Sequence, residues 1–201
     1  MYKGQAFEYL VRYMAAYGEV TQLALFAAQT IVLLGAQIPV MAPLGEQLCS
    51  VPIVYAHSLA IPPFRFIIGL VFVVVGGAVR MWCYRALGRF FVLEVVVTQE
   101  HTLVTDGPYA YVRHPSYTAM FLLLLGGYLS SYGPGTYVTE CGLMSTPFRF
   151  AAYLWWALAS YTVIATYLRS FEEDGQLRNR FGGAWAAYRR EVPYKFIPFI
   201  I

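Results

Sequence analysis

The chain has 201 residues, of which 59% are hydrophobic and only 12% are charged, and its mean hydropathy is +0.54. Soluble domains carry roughly 25% charged residues, so this composition excludes an ordinary soluble protein and indicates an integral membrane protein. The net charge of +3 is not carried by a soluble basic domain, which argues against nucleic-acid binding. We expect the basic residues to lie against anionic membrane lipid instead.

Long apolar runs predict membrane-spanning helices. A spanning helix needs about 20 consecutive, mostly apolar residues. Four segments fit this description, at residues 20–42, 64–84, 116–132 and 148–168. Proline lies just before each of the last three, as is common where a helix begins. We therefore predict an all-α integral membrane protein with about four transmembrane helices.

The basic residues indicate how the chain is oriented. All but two of the 14 Lys and Arg residues fall on one side of the four-span arrangement, and the exceptions are Arg65 and Arg149. Because cytosolic loops are enriched in Lys and Arg, we expect both termini to be cytosolic. No cleavable signal peptide is evident, since Glu8 and Glu19 precede the first long apolar run.

The chain contains three cysteines, and their spacing is unlike that of a metal site, so no metal ligands are predicted. Cys49 and Cys141 both fall on the non-cytosolic side of the predicted topology. This arrangement permits a disulfide in an oxidising lumen. The sequence leaves the matter open, and the interpretation we favour is that the cysteines are free, buried thiols.

The most informative polar stretch is residues 100–119, EHTLVTDGPYAYVRHPSYTA, which lies between strongly apolar segments. Residues 106–108 are an Asp-Gly-Pro turn signal, and Pro115 can begin the next helix directly after Arg113 and His114. Hydrogen-bonding side chains are concentrated here, which suits a polar ligand held at a membrane surface. The alternative is that Arg113 and His114 simply anchor a helix end among lipid headgroups.

Arg169 and Glu173 are four residues apart where the fourth span should leave the bilayer, so they share one helix face. One interpretation is an internal ion pair. The other is a functional pair, because ionisable groups at the edge of the hydrocarbon are costly and are often kept for function. Downstream, the tail VPYKFIPFII is expected to lie in the membrane interface, and the run FFVLEVVV at residues 90–97 is compatible with an extended strand.

Two segments together carry a family resemblance. HTLVTDGPYAYVRHPSY, followed after a membrane span by RSFEEDGQLRNRFGGAWAAYRREVPYKFIPF, resembles the protein-S-isoprenylcysteine O-methyltransferase family in order and in spacing. The shorter pattern GPYxxxRHPxY alone is also similar to other membrane methyltransferases and to some reductases. The resemblance covers a catalytic core at about residues 64–201, within a single membrane-embedded domain of residues 1–201.

The resemblance implies methyl transfer from S-adenosyl-L-methionine to the C-terminal carboxylate of a prenylated cysteine, giving a methyl ester on CAAX-type protein C-termini. It implies a multi-pass protein of the endoplasmic reticulum membrane, with a cytosol-facing cofactor site built from a loop and a C-terminal helix. Arg169 matches the family's substrate-binding arginine and is the candidate catalytic residue. The residues expected to bind the cofactor are His101, Thr102, Leu103, Val104, Tyr109, His114, Pro115, Ser116, Tyr117 and Glu173.

The chain departs from the family pattern at two positions. Ala119 stands where the family commonly has glycine, and Trp185 stands where it commonly has tyrosine.

A phospholipid N-methyltransferase is an alternative function, although Arg169 predicts an anionic acceptor rather than an amine. A nicotinamide-dependent membrane reductase is a further alternative within enzymes. A non-catalytic membrane protein that binds prenylated tails is the alternative outside enzymes.

Overall fold

The computed structural model describes residues 6–49, 59, 61–88 and 103–200, with side chains from residue 13 onward. Its helices, numbered in chain order, are α1 (Ala6–Gln37), α2 (Ala42–Leu48), α3 (Phe64–Leu87), α4 (Pro115–Ser131), α5 (Tyr137–Glu140), α6 (Phe148–Phe181) and α7 (Gly183–Glu191). Within those ranges there is no β-strand. The prediction of an all-α protein is confirmed, and residues 90–97 lie outside the described ranges.

The first helix differs from its predicted bounds at both ends. α1 begins at Ala6, well before the predicted span, because charged side chains oppose burial in lipid but do not oppose helix formation. It ends at Gln37, short of the predicted end. Ile38 precedes Pro39, and a residue before proline avoids helical geometry; Ile38 has φ −117° and ψ 107° accordingly.

The other three long helices begin where the prolines predict. The end of α6 differs from the predicted end of its span. α3 begins after Pro63, α4 begins at Pro115, and α6 begins after Pro147. α6 then continues past the predicted fourth span as one helix of 34 residues. At 1.5 Å per residue it is about 50 Å long, against a hydrocarbon core of about 30 Å, so its polar last turns would project from a bilayer.

Two helical segments are long and apolar enough to cross a membrane. They are Tyr13–Gln37 and Phe64–Leu87, with mean hydropathies of 1.4 and 2.2. Only 17% of each apolar window is buried within the protein, which is unlike the core helix of a soluble domain. These helices indicate association with a membrane, and the third and fourth spans remain predictions.

Contacts among the described residues divide the chain into two compact units. The motif unit takes residues from 1–10, 74–123 and 160–201, and the disulfide unit takes residues from 11–73 and 124–159. The predicted single domain over residues 1–201 stays a prediction.

The disulfide unit is closed by a covalent link between Cys49, which follows α2, and Cys141, which follows α5. The two Cα atoms are 4.8 Å apart, within the range that a disulfide requires. The hydroxyl of Tyr137 donates a hydrogen bond of 2.7 Å to the carbonyl of Leu48 beside the link. Our favoured interpretation of these cysteines as free thiols was therefore wrong, while Cys83 is a buried free thiol.

Small residues set how closely α3 and α4 approach. In the disulfide unit, a Cβ on Gly69 would lie 2.8 Å from the Gly126 carbonyl oxygen, and a Cβ on Gly126 would lie 2.7 Å from that of Gly69. In the motif unit, a Cβ on Gly76 would lie 2.8 Å from the Ala119 carbonyl oxygen. Ala119, which stands where the family pattern commonly has glycine, is 0% exposed, so its methyl group is fully buried.

Candidate active site

The loop before α4 is shaped by its turn residues. Gly107 has φ +59° and begins a short 3-10 turn, Gly107–Ala110, with Pro108 in its first positions. The carbonyl of Tyr109 in this turn accepts a hydrogen bond of 2.8 Å from the hydroxyl of Tyr188 on α7. The turn signal at residues 106–108 is thus confirmed, and it fixes the loop against the C-terminal helix.

Arg113 and His114 are buried immediately before α4. Their side chains are 5% and 6% exposed. The Arg113 guanidinium donates hydrogen bonds to the carbonyls of Val192 and Pro193, at 3.1 and 2.7 Å. These contacts are with protein groups, so the two residues are part of a built site and the headgroup-anchor alternative does not fit them.

His114 lies between two carboxylates. Its Nδ1 is 3.4 Å from Oε2 of Glu173, and its Nε2 is 3.1 Å from Oδ1 of Asp174. The ring also stacks on Tyr117, one turn into α4, with ring centroids 5.6 Å apart and an angle of 8° between the planes. Burial alone would lower the pKa of His114, but hydrogen bonds to Asp174 and Glu173 and their negative charges raise it above its ordinary value.

Glu173 is held by three side chains. Its Oε1 accepts hydrogen bonds from Nε of Arg169 at 2.9 Å and from the hydroxyl of Tyr117 at 2.5 Å, while Oε2 faces His114. Burial alone would raise the pKa of Glu173, but hydrogen bonding and charge from His114, the hydroxyl of Tyr117 and the charge of Arg169 lower it. The carboxylate is therefore ionised at neutral pH, and 24% of the side chain is exposed.

Asp174, the next residue on α6, is a second acidic centre that the sequence analysis missed. It faces Nη2 of Arg113 and Nζ of Lys195, each at 3.4 Å, in addition to His114. Burial alone would raise its pKa, but hydrogen bonding and charge from His114, together with Arg113 and Lys195, lower it. The only sequence signal for this role was its place next to Glu173.

The C-terminal segment, residues 192–196, runs beside the start of α4. The amide N–H of Arg113 donates to the carbonyl of Tyr194 at 3.0 Å, and that of His114 donates to the carbonyl of Lys195 at 2.8 Å. The hydroxyl of Thr118 donates to the carbonyl of Phe196 at 2.6 Å. The tail that we expected only to lie in the membrane interface is therefore hydrogen-bonded to the central motif.

The remaining predicted cofactor residues occupy different positions. Ser116 accepts a hydrogen bond of 3.0 Å from Arg80 on α3, and Pro115 is the buried first residue of α4. Leu103 packs against a small buried cluster that includes Trp185, and Val104 is half-buried beside it in sequence. His101 and Thr102 lie outside the described residues.

The charges of the site leave a positive surplus. Arg113, Arg169 and Lys195 are cations, whereas Glu173 and Asp174 are the two carboxylates that face them. Among these described groups the cations outnumber the carboxylates by one, and a protonated His114 adds another positive charge. Arg169 is only 6% exposed. A partly desolvated cationic site of this kind favours an anionic ligand over an amine.

Comparison with known proteins agrees with the resemblance found in the two motifs. The sequence model of the isoprenylcysteine carboxyl methyltransferase family matches residues 67–141. The protein-S-isoprenylcysteine O-methyltransferase of Schizosaccharomyces pombe is 36% identical over 95 residues, which are 47% of this chain and 33% of that protein. The proteins of the same name from Xenopus laevis and Homo sapiens are 30% and 31% identical over 136 and 134 residues.

These last two matches cover 67% and 66% of this chain, and 41% and 40% of the relatives. The chain thus matches less than half the length of all three relatives. The family match contains Arg113 and His114 and stops before Arg169 and Glu173, so the roles of the latter pair stay predictions. The resemblance predicted from the motifs is confirmed: this chain is similar to the isoprenylcysteine carboxyl methyltransferase family.

Proposed function

We propose that the protein is an S-adenosyl-L-methionine-dependent methyltransferase that esterifies the C-terminal carboxylate of a prenylated cysteine on proteins. In this proposal the chain spans the endoplasmic reticulum membrane four times, with both termini and the site in the cytosol. The named function of its relatives supports the reaction class. The observation that carries the proposal is the buried Arg169 guanidinium, next to an ionised Glu173 and within a cluster of surplus positive charge.

The residues of the site fit the cofactor by chemistry. S-adenosyl-L-methionine carries an ammonium, a carboxylate and a sulfonium methyl group, which it supplies to the acceptor. Glu173 presents a partly exposed carboxylate for a positive group. Buried Nε of Arg113 lacks a hydrogen-bond partner among the described residues, and His114 and Tyr117 fix the Glu173 carboxylate from α4. In this proposal these residues bind and orient the cofactor.

The acceptor chemistry requires little beyond orientation and exclusion of water. A carboxylate is already ionised at neutral pH, so no residue has to remove a proton. The bound cofactor would supply its methyl group to an oxygen of this carboxylate, and the electron pair of the methyl–sulfur bond would stay on sulfur. Opposite charges disappear in this step, so a water-poor site favours it. Arg169, with its planar fork of donors, is suited to hold the carboxylate in line.

The prenyl chain would lie along apolar surface beside Arg169. Ile164, Tyr167, Leu168 and Phe171 on α6 are all exposed large apolar residues within about two turns of it. An isoprenoid attached to the terminal cysteine would bury such surface while its carboxylate reaches the guanidinium. This pairing of apolar surface with a buried cation supports a lipidated anion as the acceptor.

Two other candidate functions make different predictions. A phospholipid N-methyltransferase would methylate a headgroup amine, which the surplus positive charge of the site disfavours. A non-catalytic prenyl-binding protein would bind prenylated tails equally well with and without S-adenosyl-L-methionine.

The experiment that tests the proposal supplies labelled S-adenosyl-L-methionine and N-acetyl-farnesylcysteine to membranes containing the chain, with phosphatidylethanolamine as a parallel acceptor. Base-labile label on the cysteine derivative alone is the expected result.

Arg169→Ala tests the residue assignment. We expect kcat/KM for the cysteine derivative to fall about 10- to 100-fold or more, because a hydrogen-bonded charged contact contributes roughly 1.5–3 kcal/mol. Cofactor binding should be retained, since Tyr117 and His114 still hold Glu173. Arg178→Ala, at an exposed position on the same helix, is the matched control and should keep normal activity. Normal activity in Arg169→Ala would exclude the proposed carboxylate contact.

A further inference from the structure

The contacts of His114 determine its protonation state. A carboxylate only accepts hydrogen bonds, and a neutral imidazole has one N–H group to donate. Both ring nitrogens of His114 face carboxylates, at 3.4 Å to Glu173 and 3.1 Å to Asp174. Only an imidazolium has a proton to donate in both directions. The hydrogen bond at Nε2 and the carboxylate beside Nδ1 therefore favour a charged His114 in the resting site.

Asp174 is the residue that links this imidazolium to the rest of the site. Besides His114 it faces Arg113 and Lys195, and it is 13% exposed. Lys195 also lies 3.3 Å from the centre of the Phe171 ring on α6. The backbone amide of Arg113 donates a hydrogen bond to the carbonyl of Tyr194 in the C-terminal segment. One carboxylate thus connects α6, the start of α4 and the C-terminal segment.

We propose that Asp174 is a positioning residue: it holds His114 as an imidazolium between two carboxylates and so fixes the charge and orientation of Glu173. Asp174 touches neither substrate nor cofactor in this proposal. The link from Glu173 to cofactor binding rests on the proposed function, whereas the charged state of His114 does not.

Several charged or titratable groups surround His114, and each bears on its protonation. His114, Tyr117 and Arg169 lower the pKa of Glu173, and His114, Arg113 and Lys195 lower that of Asp174. Both carboxylates are therefore ionised and stabilise the imidazolium. Among the described residues, the groups that interact with the ring or its carboxylates are Tyr109, Arg113, Tyr117, Arg169, Glu173, Asp174, Tyr188 and Lys195. Removing the charge of Asp174 leaves the rest of this set in place.

Asp174→Asn keeps the size of the side chain and removes its charge. An opposite charge within hydrogen-bonding distance shifts a pKa by roughly one unit or more, so His114 should lose its proton at a pH lower by about one unit. Methyl transfer and cofactor binding should then fall at about pH 8 and recover at about pH 6, on either side of the ordinary histidine range. Asp174→Glu, which restores the charge, should recover much of the wild-type profile.

The first readout is independent of methyl transfer. NMR of the imidazole nitrogens, with isotope-labelled histidine, follows the three histidines of the chain, His57, His101 and His114, and His114→Gln identifies the relevant signal. In the wild type we expect His114 to titrate above about 6.5, and in Asp174→Asn to titrate lower. A neutral His114 at about pH 6 in the wild type would overturn the proposal, even in an active enzyme.

The second readout is the pH profile of methyl transfer. If methyl transfer on the alkaline side of the profile is lost at a lower pH in Asp174→Asn than in the wild type, the positioning role is supported. A uniform loss at every pH, with no shift, would mean that Asp174 is only structural and would overturn the proposal. Glu191→Gln, which removes an exposed carboxylate on α7, should change neither readout. If no variant or wild-type protein methylates the acceptor, the proposed function fails, while the NMR titration still decides the state of His114.

Discussion

Glu173 is the residue at which the contacts of the site converge. The Arg169–Glu173 ion pair that the spacing suggests is present, at 2.9 Å. The same carboxylate also meets Tyr117 and His114, which come from a distant part of the chain. A pair kept only to stabilise a helix contributes roughly 0.3–0.5 kcal/mol and needs no such partners. This convergence favours the functional interpretation of the pair over the purely structural one.

Tyr117→Phe tests whether the orientation of Glu173 matters for cofactor binding. The change removes the hydroxyl that donates to Oε1 and keeps the ring that stacks on His114. A hydrogen bond to a charged group contributes roughly 1.5–3 kcal/mol, so we expect the Kd for S-adenosylhomocysteine to rise about tenfold or more. Titration calorimetry on protein in detergent measures this Kd.

The matched control for that experiment is Tyr111→Phe. Tyr111 is exposed in the same loop and meets Trp82 through its ring, so loss of its hydroxyl should leave the Kd unchanged. An equal Kd in the wild type and in both variants would show that the Tyr117 hydroxyl does not orient Glu173 for the cofactor.

At the residue scale, the sequence identified the members of the site that stand in local motifs. His114, Arg169 and Glu173 are recognisable from spacing and from the family resemblance. Asp174 and Lys195 are not, because their roles depend on contacts between residues far apart in the chain. Arg113 donates hydrogen bonds to backbone carbonyls of residues 192–194. Because every residue has a backbone carbonyl, no pattern of side chains in the sequence predicts these bonds.

At the element scale, the helix starts marked by proline were predictable, whereas the start of α1 and the helix ends were less so. Pro63, Pro115 and Pro147 mark the starts of α3, α4 and α6 because proline fits the first turn and little else in a helix. Hydropathy reports where a helix leaves lipid and not where its backbone stops, so the predicted span ends before α6 does, but the i,i+4 spacing of Arg169 and Glu173 predicted that the helix continues past residue 168. The motif that carries Glu173 is therefore held rigidly on the continuation of a predicted span.

Gly126→Ala tests the close approach of α3 and α4. The added methyl group would lie 2.7 Å from the Gly69 carbonyl oxygen and 2.9 Å from the backbone nitrogen of Val73, and backbone atoms cannot move aside cheaply. Overpacking of this kind typically costs about 1–3 kcal/mol. We expect a lower free energy of unfolding, measured by denaturant titration of protein in mixed micelles.

Gly77→Ala is the control on α3, because a Cβ there has nothing within 4 Å. It should leave stability unchanged or raise it by up to about 1 kcal/mol, since alanine favours helix more than glycine does. Equal stability of the two variants would show that the helices do not rely on contact between small residues at Gly126.

At the scale of the whole molecule, the disulfide bears on how the chain sits in its membrane. The predicted topology puts Cys49 and Cys141 on the non-cytosolic side, together with Arg65 and Arg149. Disulfides persist in oxidising compartments and are rare in the cytosol, so the observed Cys49–Cys141 link supports the orientation that the basic residues predict. The composition predicted a membrane protein. The pairing of Cys49 with Cys141 was not predicted, because it depends on the ends of α2 and α5 meeting in three dimensions.

Sidedness can be measured with two matched substitutions of exposed arginines, Arg149→Cys and Arg190→Cys, in a background where buried Cys83 is changed to alanine. In sealed microsomes, whose outer face is cytosolic, a membrane-impermeant maleimide should label Arg190→Cys at once. It should label Arg149→Cys only after the membrane is permeabilised, because four spans put residue 149 in the lumen. The Cys49 and Cys141 sulfurs should stay unreactive without reductant. Labelling of both variants before permeabilisation would contradict the four-span topology, and reactive Cys49 and Cys141 would contradict the disulfide.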